Sequence, residues 1–488
     1  MARHIYSFSE FYGIDQSSSE NSLHQGTASD ARNMDTKDGN LSVANGYVKH
    51  IDKPIPGNGI VRRVFIFKNL VTTQYIVVAS NGTAMCVYAY TDTDENPEWK
   101  TIYTYPENVV GLTWDFLQVN IGNKDYLIIA NGEHQMIKWD GESNTAELFG
   151  SQDKVSNIKT NYIVMHYERM FAAGDAENPN RLYWSKIPGD GATVEDWTVD
   201  KAASSNSGGF VEIGNTRGDP IIGLAAMGTQ ILVFKRYSVY RVQGYNPDNF
   251  RIEKLGADVE YMSHASITLY GDVAYYLTPE GVYYFNNVTV QPAPNSRRLS
   301  RFKDGMFVQF SKGAECKERL YFTCYKGDNP TGDPYDNHII EYDIIRQAYM
   351  IRDGFQVADI VGHDGTLYMV NGDRYVYRLN EGDTYDGKPI RAYWQTQKTD
   401  MGAKFKDKKI KEVYVRGEGG VMNFNVFSGI SSNVYSCTVS DYEVIGLVPN
   451  IDSARTFYFR IENEAGSRFT LEGGMEANIE LDDRSRFQ

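Results

Sequence analysis

One recurrence constrains this chain more than any other feature. Residues 75–91, Tyr-Ile-Val-Val-Ala-Ser-Asn-Gly-Thr-Ala-Met-Cys-Val-Tyr-Ala-Tyr-Thr, return 51 positions later at 126–142 as Tyr-Leu-Ile-Ile-Ala-Asn-Gly-Glu-His-Gln-Met-Ile-Lys-Trp-Asp-Gly-Glu. Each copy is a short apolar run, a turn containing glycine and a second strand, and a period near 50 is the size of one four-stranded propeller blade. A single blade cannot bury both its faces, whereas radial stacking buries them and leaves only short edges. Weaker copies pair 169–173 with 181–185, 229–235 with 238–242, 273–277 with 281–285, 319–323 with 338–342 and 366–370 with 375–379. Seven such hairpins between about residues 60 and 385 predict a β-propeller of six or seven blades. A row of β-sandwich domains is the competing arrangement. No helix-period segment exceeds about two turns, so the expected class is all-β.

Residues 59–385 are therefore assigned to the propeller, and the polar stretch 380–389 reads as the linker that ends it. Beyond it, runs at 390–396, 410–416, 421–427, 433–438, 456–462 and 468–471 have the spacing of a C-terminal antiparallel β-sandwich over 386–488. Residues 1–58 read as an N-terminal extended arm and β-meander. Within it, Asp38-Gly39 and Asn45-Gly46 tolerate positive φ and favour two-residue hairpin turns. This arm is expected to supply the last strand of a blade and so to join chain start to chain end.

At 488 residues the chain exceeds what one core supports, and its 41% hydrophobic share with 35 Tyr and 23 Phe suits half-buried pleated surfaces. No apolar run approaches the roughly 18 to 20 residues of a membrane helix, so no spanning segment is expected. The start, Met-Ala-Arg-His-Ile-Tyr-Ser-Phe-Ser, lacks the apolar core of a secretory signal, and folding in cytoplasm follows. Cys86, Cys316, Cys324 and Cys437 form no C-x-x-C pair and read as free thiols. A net charge of −14 disfavours nucleic acid as a gripped ligand.

Motifs that carry chemistry are missing. The eight His residues never fall at zinc-like spacing. Asp92-x-Asp94-x-Asn96 begins like a calcium loop, but Pro97 stands where the sharp turn requires Gly. Asp328, Asp333 and Asp336 crowd one loop that reads as a solvated turn. No G-x-S-x-G elbow, Walker A loop or strand-linked G-x-G-x-x-G occurs. Trp114-Asp115 and Trp139-Asp140 lack the recurrence of WD40 blades and read as strand ends. The one basic run, Lys404 to Lys411, reads as a solvated loop, with a phosphate patch or an acidic partner as alternatives. No catalytic, cofactor-binding or metal-ligating residue is assigned, and the chain is not expected to be an enzyme.

Several segments together resemble the β-propeller tail proteins of bacteriophages, the nozzle or tail-hub family of short-tailed phages. They are 26–34 with 38–41 and 45–47, 168–174 with 179–185 and 195–197, 231–244 with 277–283, and 394–400 with 408–410. The resemblance implies a structural virion protein and carries no catalytic residues. It implies a homo-oligomeric ring, commonly a homohexamer, below the portal and adaptor and near tail fibre proteins. That ring would extend the genome ejection conduit and help retain and release phage DNA, which passes without specific binding. The implied location is the virion tail, assembled in the host cytoplasm. A glycan-binding or glycan-cleaving propeller, its Tyr and Trp stacking on sugars, is the alternative from another class, and a propeller scaffold of cellular complexes is a third.

Overall fold

A strand packed on both faces must be apolar along its whole length, and that condition organises this molecule. The computed structural model describes residues 3–17, 24–69, 73–80, 86–106, 113–150, 158–189, 191–199, 206–214, 218–255, 261–327, 335–428, 431–439, 444–449 and 451–481. Among them there is no α-helix, and the strands form a seven-bladed propeller joined to a two-sheet sandwich.

Blades 1 to 5 occupy 61–104, 115–148, 162–212, 221–255 and 268–292, each a four-stranded antiparallel meander. Blade 6, over 306–357, sets two short strands, Met306–Phe307 and Gly313–Cys316, against Arg319–Lys326. Blade 7 takes three strands from 359–379 and its fourth from the chain start: Tyr47–Lys49 runs antiparallel to Val376–Leu379, with Tyr47 opposite Leu379. The expected closure of chain start onto chain end is thus present.

Alternate residues of a strand face opposite neighbours. On Lys124–Ala130, Leu127 and Ile129 pack against blade 1, while Ile128 and Ala130 pack against blade 3. Equivalent clusters join blades 3 and 4 through Phe171, Leu182 and Ile231, and blades 4 and 5 through Phe234 and Tyr276. Val64, Ile76 and Val78 of blade 1 meet Tyr368, Val370 and Val376 of blade 7, so the ring closes.

The sandwich is built from both chain ends. One sheet holds Arg3–Phe8, Met34–Asp35, Leu41–Val43, Lys408–Gly419, Val444–Leu447 and Phe469–Leu481; the other holds Ala28–Arg32, Tyr393–Thr396, Val421–Ser428, Ser432–Thr438 and Phe457–Asn463. Its core is continuous with that of blades 5 to 7.

Three local expectations change. Asp38 and Gly39 do adopt positive φ, 56° and 81°, but inside a longer loop between Met34–Asp35 and Leu41–Val43 rather than a two-residue turn. Asn45-Gly46 is no hairpin at all: Leu41–Val43 stays in the sandwich while Tyr47–Lys49 enters blade 7. Gly46 is required there by close approach, since a Cβ would lie 1.9 Å from the Thr384 carbonyl oxygen. The last strand does not stop at Leu471. It runs to Leu481 through a bulge at Gly473 and Gly474, whose φ of 69° and 75° only glycine adopts cheaply.

Candidate functional site

Two polar regions stand out in this apolar framework: the propeller axis and the junction of propeller and sandwich. At the axis, Asp115 opens the inner strand of blade 2 and Asp359 that of blade 7. Each carboxylate caps the N–H of the next residue, Phe116 at 3.0 Å or Ile360 at 2.9 Å. Each also reaches the following blade, taking the N–H of Ile163 at 2.9 Å or of Val64 at 2.6 Å. Asp359 additionally accepts from Arg63 Nη1 at 3.0 Å.

The partner of Asp115 is His264, on the short 3-10 turn between blades 4 and 5. Leu224 N donates to its Nδ1 at 3.4 Å, which places the ring proton on Nε2, and Nε2 donates to Asp115 at 3.0 Å. One imidazole therefore ties blades 2 and 4 across the axis. Trp114-Asp115 read in the sequence as an ordinary strand end, and Asp359 drew no attention. Their shared signal, an Asp directly before an inner apolar strand, gains meaning only when the next blade's unpaired N–H is in place.

At the junction, Arg319 makes a two-point contact with Asp35 at 3.0 and 3.1 Å and also meets Glu341. Arg352 holds the other oxygen of Glu341 at 2.9 Å and donates to the Asn45 carbonyl at 2.9 Å. Burial opposes ionisation of Asp35, but the Arg319 guanidinium outweighs it and holds the carboxyl below its ordinary value. Beside this network the side chain of Asn33, at φ 54°, donates to Asp353 Oδ1 at 2.8 Å and accepts from the Asp353 N–H at 2.9 Å and from Tyr385 Oη at 2.9 Å.

A cavity of about 650 Å³ opens here, lined by Tyr47, Asn337, His338, Asp353, Asn371 and Asp373 among others. Burial first, then Arg32 and Lys326, pushes His338 down to about 4, while burial raises Asp353. His338 Nε2 and Asp353 Oδ2 are 4.0 Å apart, beyond a hydrogen bond, and His338 Nδ1 lies 2.7 Å from Asn337 Oδ1. The Asp353 and Asp373 carboxylates are engaged by Asn33 and by the Tyr375 N–H and Tyr377 hydroxyl. The cavity wall is a set of mutually satisfied groups.

The other sequence candidates are dispersed. Asp94 pairs with Lys100 at 2.7 Å in an exposed loop. Asp336 is buried and accepts from Thr323, whereas Asp328 and Asp333 lie outside the described residues. The run from Lys404 is not one basic face: Lys408 is fully buried and donates to the carbonyls of Ala403 and Lys406, while Phe405 projects into solvent. Among the described residues no group of three or more His, Cys, Asp or Glu could hold a metal ion, and no helix is long and apolar enough to cross a membrane.

No protein-family model matches the chain, and no curated protein does. Among solved structures it is similar to BamB from Moraxella catarrhalis, at 9% identity and a TM-score of 0.39, covering 77% of this chain and 97% of that one. It is also similar to the Pan2 WD40 domain of Neurospora crassa, at 12% identity and a TM-score of 0.41, over 72% and 98% of the two chains. Likenesses this distant say nothing of function.

Proposed function

We propose that this chain is a structural subunit of a short-tailed phage tail, of the nozzle or hub type, and performs no chemistry of its own. In this reading it assembles as a ring, six-fold by the family resemblance, below the portal and adaptor, and lines the path by which the genome leaves. One observation carries the proposal: the segments that resemble this family contain buried joints of the scaffold. Arg169, in 168–174, is fully buried and donates to the Ser185 carbonyl at 2.7 Å, and Ser185 Oγ in turn accepts from Met170 N at 2.9 Å, so 168–174 and 179–185 specify each other. Segment 26–34 contains Asn33, the knot of the junction. Trp394, in 394–400, is fully buried against Phe11 at 5.1 Å and donates to the Tyr12 carbonyl at 3.0 Å.

Strands at 3–8, 28–32, 34–35, 41–43 and 47–49 enter both sandwich sheets and blade 7 and so tie the two units together, which suits a subunit that must withstand genome pressure. The net charge of −14 supports a lumen that does not retain DNA, because a negative wall takes no phosphate contacts. Gradient-purified virions of the encoding phage test the reading: the chain should copurify in stoichiometric, multiple copies with portal protein. Its absence from the particle, or depolymerisation of host surface polysaccharide by the purified chain, would overturn the proposal in favour of a cellular scaffold or a glycan-cleaving propeller.

A further inference from the structure

Where blade 7 meets blade 1, three distant segments of the chain wall a cavity of about 260 Å³. Gln74 and Ile76 stand two positions apart on Gln74–Ser80, and Tyr90 lies directly opposite Ile76 on Cys86–Tyr90, so the three share the face that blade 1 turns to blade 7. Thr91 and Asp92 continue that wall past the strand end. Blade 7 supplies Tyr368, on Thr366–Val370. His50 follows the closing strand Tyr47–Lys49, and its N–H is held by the Val376 carbonyl at 2.8 Å. The His50 and Tyr368 rings meet edge to face, with centroids 5.2 Å apart.

Unlike the junction cavity, this one is walled by polar groups that the protein leaves open. Among the described residues the side chains of His50, Gln74, Tyr90, Asp92 and Tyr368 make no hydrogen bond, and Asp92 makes no ion pair. Tyr368 is 7% exposed, and a phenol buried that far ordinarily finds a partner for its hydroxyl. Asp92 belongs to the stretch that begins like a calcium loop, yet only Asp94 of that stretch is engaged, by Lys100. Burial holds His50 below its ordinary value, so at neutral pH its ring offers one N–H donor and one acceptor nitrogen.

The groups to be satisfied are of both kinds. A cation would leave the donors of Gln74 and His50 unmet, and an anion would face Asp92, which no cation pairs among the described residues. Hydroxyls both donate and accept, and a sugar ring adds C–H faces that pack on aromatic rings. Drug-sized ligands occupy pockets of about 300–1,000 Å³, so this smaller cavity suits one ring. We propose that it binds a single neutral sugar ring, with Asp92, Gln74 and His50 taking the hydroxyls and Tyr90 and Tyr368 the apolar face. Bound there, the sugar bridges blade 1, blade 7 and the chain start, and so reinforces closure of the propeller. The site stands independently of the tail reading, because binding without cleavage neither requires nor excludes a place in a virion.

Calorimetric titration and thermal melts of the full chain with glucose, galactose, mannose and N-acetylglucosamine test it. At least one should bind at one site per chain and raise the melting temperature. Asp92→Asn should weaken that binding about tenfold and Tyr368→Phe several-fold, both melting like the parent without sugar, whereas Asp94→Asn should bind like the parent. Binding of none of the four sugars, or binding unaltered in both cavity variants, would overturn the site. Ethylamine binding more tightly than any of the sugars, and lost in Asp92→Asn, would overturn the neutral ligand in favour of a cation. A disaccharide of the bound sugar separates the two sources: tighter binding than the single ring marks the end of a glycan, and binding no tighter marks a free sugar.

Discussion

Replacing Glu341 with Gln tests how propeller and sandwich are held together. Glu341 is 3% exposed and lies between two guanidiniums, with Arg352, also 3% exposed, at 2.9 and 3.0 Å and Arg319 on its other oxygen. The substitution keeps the volume and one acceptor oxygen but removes the negative charge between the two guanidiniums and turns an NH2 donor toward one of them, while Arg352 keeps the Asn45 carbonyl and the Asn380 side chain at 2.9 and 3.2 Å. Breaking one side of a buried ion pair costs about 3–5 kcal/mol, because the surviving charge stays desolvated. An unfolding entropy of about 2.1 cal/mol/K per residue makes roughly 1 kcal/mol/K for a chain of 488 residues, so the melting temperature should fall by about 3–5 °C. Differential scanning calorimetry reads this directly, with Glu253→Gln on the blade 4 rim as a control that should not move. Arg319 also holds Asp35, so hydrogen exchange at 34–49 should quicken in the same variant. A fall below about 1 °C, or unchanged exchange there, would refute the view that this network joins the two domains.

Further consequences follow from the same joints. Gly46→Ala should destabilise by about 1–3 kcal/mol, since its Cβ would enter the Thr384 carbonyl and push Tyr47–Lys49 out of blade 7; an unchanged urea midpoint would contradict this. His338, held near 4 by burial, refuses a proton that the unfolded chain accepts below about 6.5. Its contribution is therefore complete above pH 6.5 and fades by roughly 2–3 kcal/mol as the pH falls to 4, and His338→Gln should flatten stability across that window. Deleting residues 1–58 removes the strands that complete both sandwich sheets and blade 7, and should give an aggregating chain; a soluble variant with a cooperative melt would contradict the closure described here.

Much of the propeller was legible because its strands are buried on both faces, so runs such as Tyr126–Ala130 stay apolar without alternation and repeat with the blades. Turns were less legible. Asn-Gly and Asp-Gly dipeptides announce hairpins only when two strands flank them in register, and at Asn45-Gly46 the flanking strands belong to different domains. Two-residue turns with positive φ at both positions do occur at Tyr167-Glu168 and Lys317-Glu318, where the paired strands impose a backbone these residues do not favour. Glu472-Gly-Gly resembled a strand end because a bulge needs the same glycines as a turn. The axial groups were invisible for another reason. Asp115 and His264 lie 149 residues apart and Arg63 and Asp359 296 apart, and only ring closure makes each pair neighbours.

The central claim, a ring subunit of a phage tail conduit, is tested most directly by a cryo-electron microscopy reconstruction of the tailed particle of the encoding phage. The account predicts this fold in repeated copies about the tail axis below the portal, with both domains seated as one body. A tail whose axial ring contains no copy of it would contradict the account.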